Sequence, residues 1–151
     1  MSVQTGSLGI FDPKPRPVQL PLTLFFVVLS FFAVGQSSVD PFAAVTPVQT
    51  QLDAYNTGDL ELFLSAYADD VRLYNFPDEL TGEGKDKMRE TYGAMFANRP
   101  DLQCRLVSRI VMGNRVLDHE SVVFDSKSPP VEVVAMYLVE DGLIREVRFL
   151  R

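Results

Sequence analysis

The chain has 151 residues, enough for one core of ordinary size plus a leader. Its composition, 46% hydrophobic and 23% charged, excludes a largely disordered protein. A net charge of −6, with basic residues scattered rather than striped, argues against nucleic acid as a partner. The single cysteine, Cys104, excludes an internal disulfide, and with one histidine, His119, no zinc set of the usual kind can be assembled. No cofactor is implied.

Residues 1–20 are polar and proline-rich, and Lys14 and Arg16 stand just ahead of the apolar run Leu20–Gly35. That run is shorter than the roughly 20 residues a spanning helix needs. Ala33 and Gly35 supply small residues where a signal peptidase cuts. The reading is a cleaved secretory signal or an uncleaved N-terminal anchor, either of which places the domain in the periplasm, secreted, or held outward on a membrane. A buried core helix is the third reading of the run. Gln36–Val45 reads as a linker.

Thr46-Pro47 then predicts a helix start, a capping hydroxyl followed by proline at the first helical position. Val48, Leu52 and Tyr55 follow at helical spacing. Asn56-Thr57-Gly58 ends this helix, and Asp59 caps a second with Leu60, Phe63, Leu64 and Tyr67 on its apolar face. A strand is expected over Val71–Phe76, and a short connection or strand over Leu80–Gly84. A third helix is expected over Lys85–Asn98, with Met88, Tyr92, Met95 and Phe96 inward. Beyond it, valine-rich stretches alternate with the turn signals Gly113-Asn114 and Asp141-Gly142, which predicts antiparallel hairpins. The order is that of an α+β domain: a cone-shaped, strongly curved, mostly antiparallel sheet packed on three N-terminal helices, with room for a cavity between them.

If Gly113-Asn114 is a two-residue turn, Met112 faces Arg115, Arg109 faces Asp118 and Ser108 faces His119. Side chains alternate between faces, so His119 shares its side with Ser108 and Leu117, and the other side carries Arg109, Asp118 and Glu120. The side without formal charge is expected to be the inside. His119, able to hold or release a proton near neutral pH, is then the leading catalytic candidate, with Ser108 beside it. Its alternative role is a hydrogen-bonded core histidine. Asp118 reads as half of an ion pair with Arg109. Valines on both faces of the last hairpin (Val133 and Val139 on one, Val134 and Val147 on the other) predict a sheet buried on both sides, hence a homodimer.

The segments LDAYNTGDLELFLSAYADDVRLYNFP, LTGEGKDKMRETY and DGLIREVRFL together resemble the nuclear transport factor 2-like superfamily, in its SnoaL-like and ketosteroid-isomerase-like branch. The likeness covers about residues 46–151 and implies the cone-shaped fold described above. It implies no single activity, because that fold hosts several chemistries and also binders without catalysis. Ketosteroid isomerases move a proton with an aspartate and hold the enolate oxygen with a tyrosine and a protonated aspartate. Counted along the shared segment, these positions fall on Asn75, on Gln51, and on Ala135 or Met136. None has the required chemistry, since an amide does not shuttle a proton at neutral pH. Asn75 with His119 as the reacting pair, and Gln51, Tyr55, Tyr92 and Ser108 as ligand contacts, make the expected site. The expected ligand is a small hydrophobic molecule. The function is isomerase- or lyase-type catalysis, or non-catalytic binding or dimerisation.

Overall fold

The computed structural model describes the backbone of residues 41–151 and the side chains from Ala43 onward. The apolar run Leu20–Gly35, and with it the signal-or-anchor reading, lies outside the described residues. Among those described, no helix is long and apolar enough to cross a membrane.

The chain runs α1 (Pro41–Thr57), α2 (Leu60–Ser65), β1 (Tyr67–Asn75), β2 (Glu79–Glu83), α3 (Lys85–Asn98), β3 (Gln103–Met112), β4 (Arg115–Val123), β5 (Val131–Glu140) and β6 (Leu143–Leu150). The six strands form one curved, open sheet in the order β2-β1-β6-β5-β4-β3, antiparallel except where β1 and β6 run parallel. This is the α+β architecture that the element order predicts. α1 lies across β3, β4 and β5, while α3 closes the β1–β2 side. Between them Val48, Phe63, Val71, Met88, Val116, Ile144 and Val147 are essentially inaccessible to solvent.

Local signals account for most boundaries. Asp59 caps α2, its carboxylate accepting from the Leu62 amide at 3.0 Å. Asp141 and Gly142 both take positive φ, 53° and 75°, as a two-residue turn between twisted strands requires. Two boundaries differ from expectation. α1 begins at Pro41, so residues 41–45 are helix rather than linker, and Pro47 sits inside the helix at the expense of one backbone hydrogen bond. Tyr67 opens β1 instead of extending α2.

The Gly113-Asn114 turn has the expected register: Met112 pairs with Arg115, Arg109 with Asp118 and Ser108 with His119. Beyond Ser108 a bulge shifts the pairing, so Leu106 faces Glu120 and Cys104 faces Val122. A second irregularity between β5 and β6 pairs Tyr137 with Val147. Val147 is thereby fully buried with Val133 and Val139, not grouped with the half-buried Val134 as the alternation predicts.

The two faces of β4 are the reverse of expectation. Val116, Asp118, Glu120 and Val122 point into the domain, and Leu117 and His119 point out of it. The charged side can be internal because Arg109 grips Asp118 with two bonds of 2.7 Å, while its third nitrogen donates to Gln49 at 2.9 Å. The Asp118 side chain is wholly buried. Breaking a buried pair leaves a charge without compensation, which costs about 3–5 kcal/mol. Arg109→Met should therefore lose stability of that order in urea denaturation. The double variant Arg109→Met/Asp118→Leu should recover most of the loss.

Candidate functional site

A cavity of about 180 Å³ lies between the inner face of the sheet and the two long helices. α1 contributes Gln51, Leu52 and Tyr55, and α3 contributes Thr91, Tyr92 and Met95. Phe63, Phe124, Val133 and Phe149 make the wall largely apolar. The polar groups in that wall form a directed chain. Tyr67 donates to the Gln51 carbonyl oxygen at 3.2 Å, the Gln51 amide nitrogen donates to the Tyr137 hydroxyl at 3.1 Å, and Tyr137 donates to Glu120 at 3.2 Å. Each member fixes the next, so the amide and both hydroxyls have one arrangement.

Glu120 ends this chain, with only 5% of its surface exposed. Its carboxyl is pushed up to about 7, first by burial and then by the Asp118 charge on the same face of β4. Tyr137, Cys104 and Arg109 pull the other way without reversing the shift. A carboxyl balanced between its two forms near neutral pH suits both removal and return of a proton. Burial also holds Tyr67 and Tyr137 well above the ordinary tyrosine range and pushes Tyr92 up to about 12, so these hydroxyls remain donors. The Cys104 thiol is likewise raised by burial, which keeps it from being a thiolate nucleophile.

Tyr55 and Tyr92 stand in an aromatic cluster with Phe63 and Phe96, the Phe63–Tyr92 centroids 4.6 Å apart and the Tyr55–Phe96 centroids 5.6 Å apart. Ring packing fixes both phenols at the cavity. No side chain among the described residues accepts a hydrogen bond from either hydroxyl. Both are therefore available to a ligand. Among the described residues no three His, Cys, Asp or Glu side chains converge as a metal site would require.

Of the residues expected from sequence, Gln51, Tyr55 and Tyr92 do line this cavity. The others do not. His119 is on the outer face, 42% exposed, with Nε2 2.6 Å from Glu132. Ser108, opposite it, is exposed as well. Asn75 is directed to the β1–β2 edge, where its amide donates to Glu79 at 3.0 Å. The physical reason for the first two is the inward Arg109–Asp118 pair, which turns the neighbouring side chains out. For Asn75 it is the partner that the β2 strand supplies. Glu120, Tyr67 and Tyr137 are the site residues that the sequence reading misses, and a signal exists for Glu120 alone. Val116 and Val122 share the parity of Asp118 and Glu120, but Leu117 and Val123 give the other face a similar apolar pattern, so the signal is weak.

With this geometry established, comparison with known proteins gives the chain a family. The SnoaL-like domain model matches residues 48–147, and the chain belongs to that family. Among solved structures, an uncharacterised cystatin-fold protein from Novosphingobium aromaticivorans is 28% identical, with a TM-score of 0.65 over 72% of this chain and 97% of that one. A Kribbella flavida protein provisionally assigned as a ketosteroid isomerase is 20% identical, with a TM-score of 0.62 over 74% and 79% of the two chains. A Sinorhizobium meliloti protein provisionally assigned as a polyketide cyclase is 16% identical, with a TM-score of 0.60 over 69% and 93%. The last two establish likeness of fold alone. Comparison with curated proteins gives no match.

The raised Glu120 carboxyl has a consequence for stability. The folded state keeps a proton that the unfolded chain releases above about pH 4.5, so Glu120 opposes folding increasingly from there to about pH 7 and by a constant amount above. Glu120→Gln should accordingly gain stability over the parent as pH rises, by about 2 kcal/mol more at pH 8 than at pH 5. Urea denaturation at the two pH values measures this. An advantage that does not change with pH would mean that the carboxyl has an ordinary pKa.

Proposed function

We propose that this SnoaL-like domain catalyses proton transfer on a small, mostly apolar carbonyl compound, in an isomerase- or lyase-type reaction. The observation that carries this reading is a single one: a buried carboxyl that titrates near neutral pH, in the wall of an apolar cavity that also presents two unengaged phenols. In this reading the Glu120 carboxylate takes a proton from the carbon next to the carbonyl. The electron pair moves onto the carbonyl oxygen, where the Tyr55 and Tyr92 hydroxyls stabilise the developing enolate. Glu120 then returns the proton to another carbon, or to a leaving group if the reaction is an elimination. Gln51 and Tyr137 take no proton in this scheme and serve to hold Glu120.

The cavity also bears on the substrate. At about 180 Å³ it is small for a ligand cavity. Sites for drug-sized ligands run from roughly 300 Å³ upward. A one-ring or short-chain ligand suits this site better than a four-ring steroid.

A second reading, a binder without catalysis, has one observation in its favour. Tyr67, Gln51 and Tyr137 already satisfy one another, as in a site built for rigidity. Deuterium exchange separates the two. The protein should accelerate incorporation of solvent deuterium into small cyclic or aryl ketones, followed by mass spectrometry, with a rate that rises through about pH 7. Glu120→Gln should slow that exchange by about 10²–10⁴-fold. His119→Gln and Asn75→Ala, altered outside the cavity, should stay within a few-fold of the parent. Ketone binding without accelerated exchange would favour the binder.

A further inference from the structure

The cavity wall is acidic at Glu120, but its rim is basic. Arg151 lines the cavity, with its guanidinium 5.8 Å from the centre of the Phe149 ring, itself a wall residue. Arg99 lies 5.4 Å over the ring of Phe124, another wall residue. Five other arginines are engaged by acids. Arg72, Arg89, Arg109, Arg145 and Arg148 each hold a carboxylate. Arg99, Arg105, Arg115 and Arg151 have no such ion pair among the described residues, and of these four only Arg151 lines the cavity. Arg99 shares an outer hollow with Asp101 and Asp125, which leaves Arg151 as the larger source of positive potential.

Arg151 combines three features in a chain of net charge −6: it lines the cavity, lies over the ring of a wall residue and holds no carboxylate. Without an ion pair, the Arg151 guanidinium keeps its N–H donors for a planar anion. Arg151, Tyr92 and Glu120 line the same cavity, so one small molecule can meet both the cation and the carboxyl.

We infer that the ligand is an acid: a small, mostly apolar molecule whose carboxylate is received by Arg151 at the rim while its body occupies the cavity toward Glu120. The inference deepens the proton-transfer reading and rests on it for the carbonyl end, though not for the anion. It orients the molecule as well. The negative end remains at the rim, away from Glu120 and Asp118, and the reactive carbon enters the apolar interior. Repulsion from the two buried acids and attraction at the rim both favour this direction over its reverse.

A matched pair of probes tests this, 3-phenylpropionate and 3-phenylpropan-1-ol, which differ in the anion and little else. Dissociation constants are measured by titration calorimetry at about pH 6, where Glu120 is mostly protonated. The parent protein should bind the carboxylate about tenfold or more tightly than the alcohol, the size of a partly desolvated charge contact. Arg151→Gln should bring the two within about threefold by weakening the carboxylate alone, and Arg151→Lys should keep part of the preference. Equal affinities in the parent, no binding of the carboxylate, or an undiminished preference in Arg151→Gln would overturn the proposal. Glu120→Gln should retain the preference. A carboxylate preference with deuterium exchange intact in Glu120→Gln would sink the base and leave the anion site. Exchange lost in Glu120→Gln with no carboxylate preference would do the opposite.

Discussion

The bidentate contact of Arg109 with Asp118 is the constraint from which the site follows. It joins neighbouring strands, β3 and β4, on their inner faces, and Gln49 of α1 takes the remaining guanidinium nitrogen. A strand cannot turn one residue inward without turning in every second one. Holding Asp118 inside therefore brings Glu120 inside too. Glu120 has no arginine of its own. The charge that makes Asp118 tolerable is spent on Asp118, and the residue two places along is left as an acid in an apolar wall, next to a negative neighbour.

Such an acid opposes folding at neutral pH, and the surrounding residues explain how the domain tolerates it. Tyr137 gives Glu120 one hydrogen bond, and Gln51 and Tyr67 hold Tyr137 in the position to give it. No buried side-chain nitrogen or oxygen among the described residues lacks a partner. The local cost is thus desolvation and repulsion, not an unmade hydrogen bond. A carboxyl that is strained in this way, yet geometrically fixed, is a common way for a protein to hold a proton ready at neutral pH. The aromatic cluster behind Tyr55 and Tyr92 complements it by fixing two phenols without using their hydroxyls.

The elements were legible in the sequence because their signals are local. Asp59 caps its helix, Asn98 ends α3, and the Gly113-Asn114 and Asp141-Gly142 turns place the hairpins correctly. Orientation was less legible, because it depends on contacts between strands and helices. The bulge beside Val107 and the irregularity before Glu146 each shift a strand by one residue, and no residue in either segment announces it. The inner face of β4 was misjudged on the assumption that charge belongs outside. That assumption fails when two opposite charges share the face and can neutralise one another. The apolar residues did not decide the matter, because Val116 and Val122 lie on one face and Leu117 and Val123 on the other.

The same fold thus places its acid differently from the pattern that the family resemblance implies. Asn75, at the end of the first strand, lies outside the cavity wall and is engaged by Glu79, while Ala135, on the inner face of β5, has no titratable group. Gln51 on α1, where the resemblance implies a tyrosine, supports Tyr137 by hydrogen bonding instead of meeting the ligand with a phenol. The buried acid that lines the cavity of this chain is on β4, and the phenols there without a side-chain partner are Tyr55 and Tyr92. Because the cavity is enclosed by helix on one side and sheet on the other, a proton donor or acceptor can enter it from several strands with equal ease. A fold of this kind constrains where chemistry happens much more tightly than which residue performs it. Assignment of activity therefore has to follow the residues that face the cavity, and in this chain the carboxyl among them is Glu120.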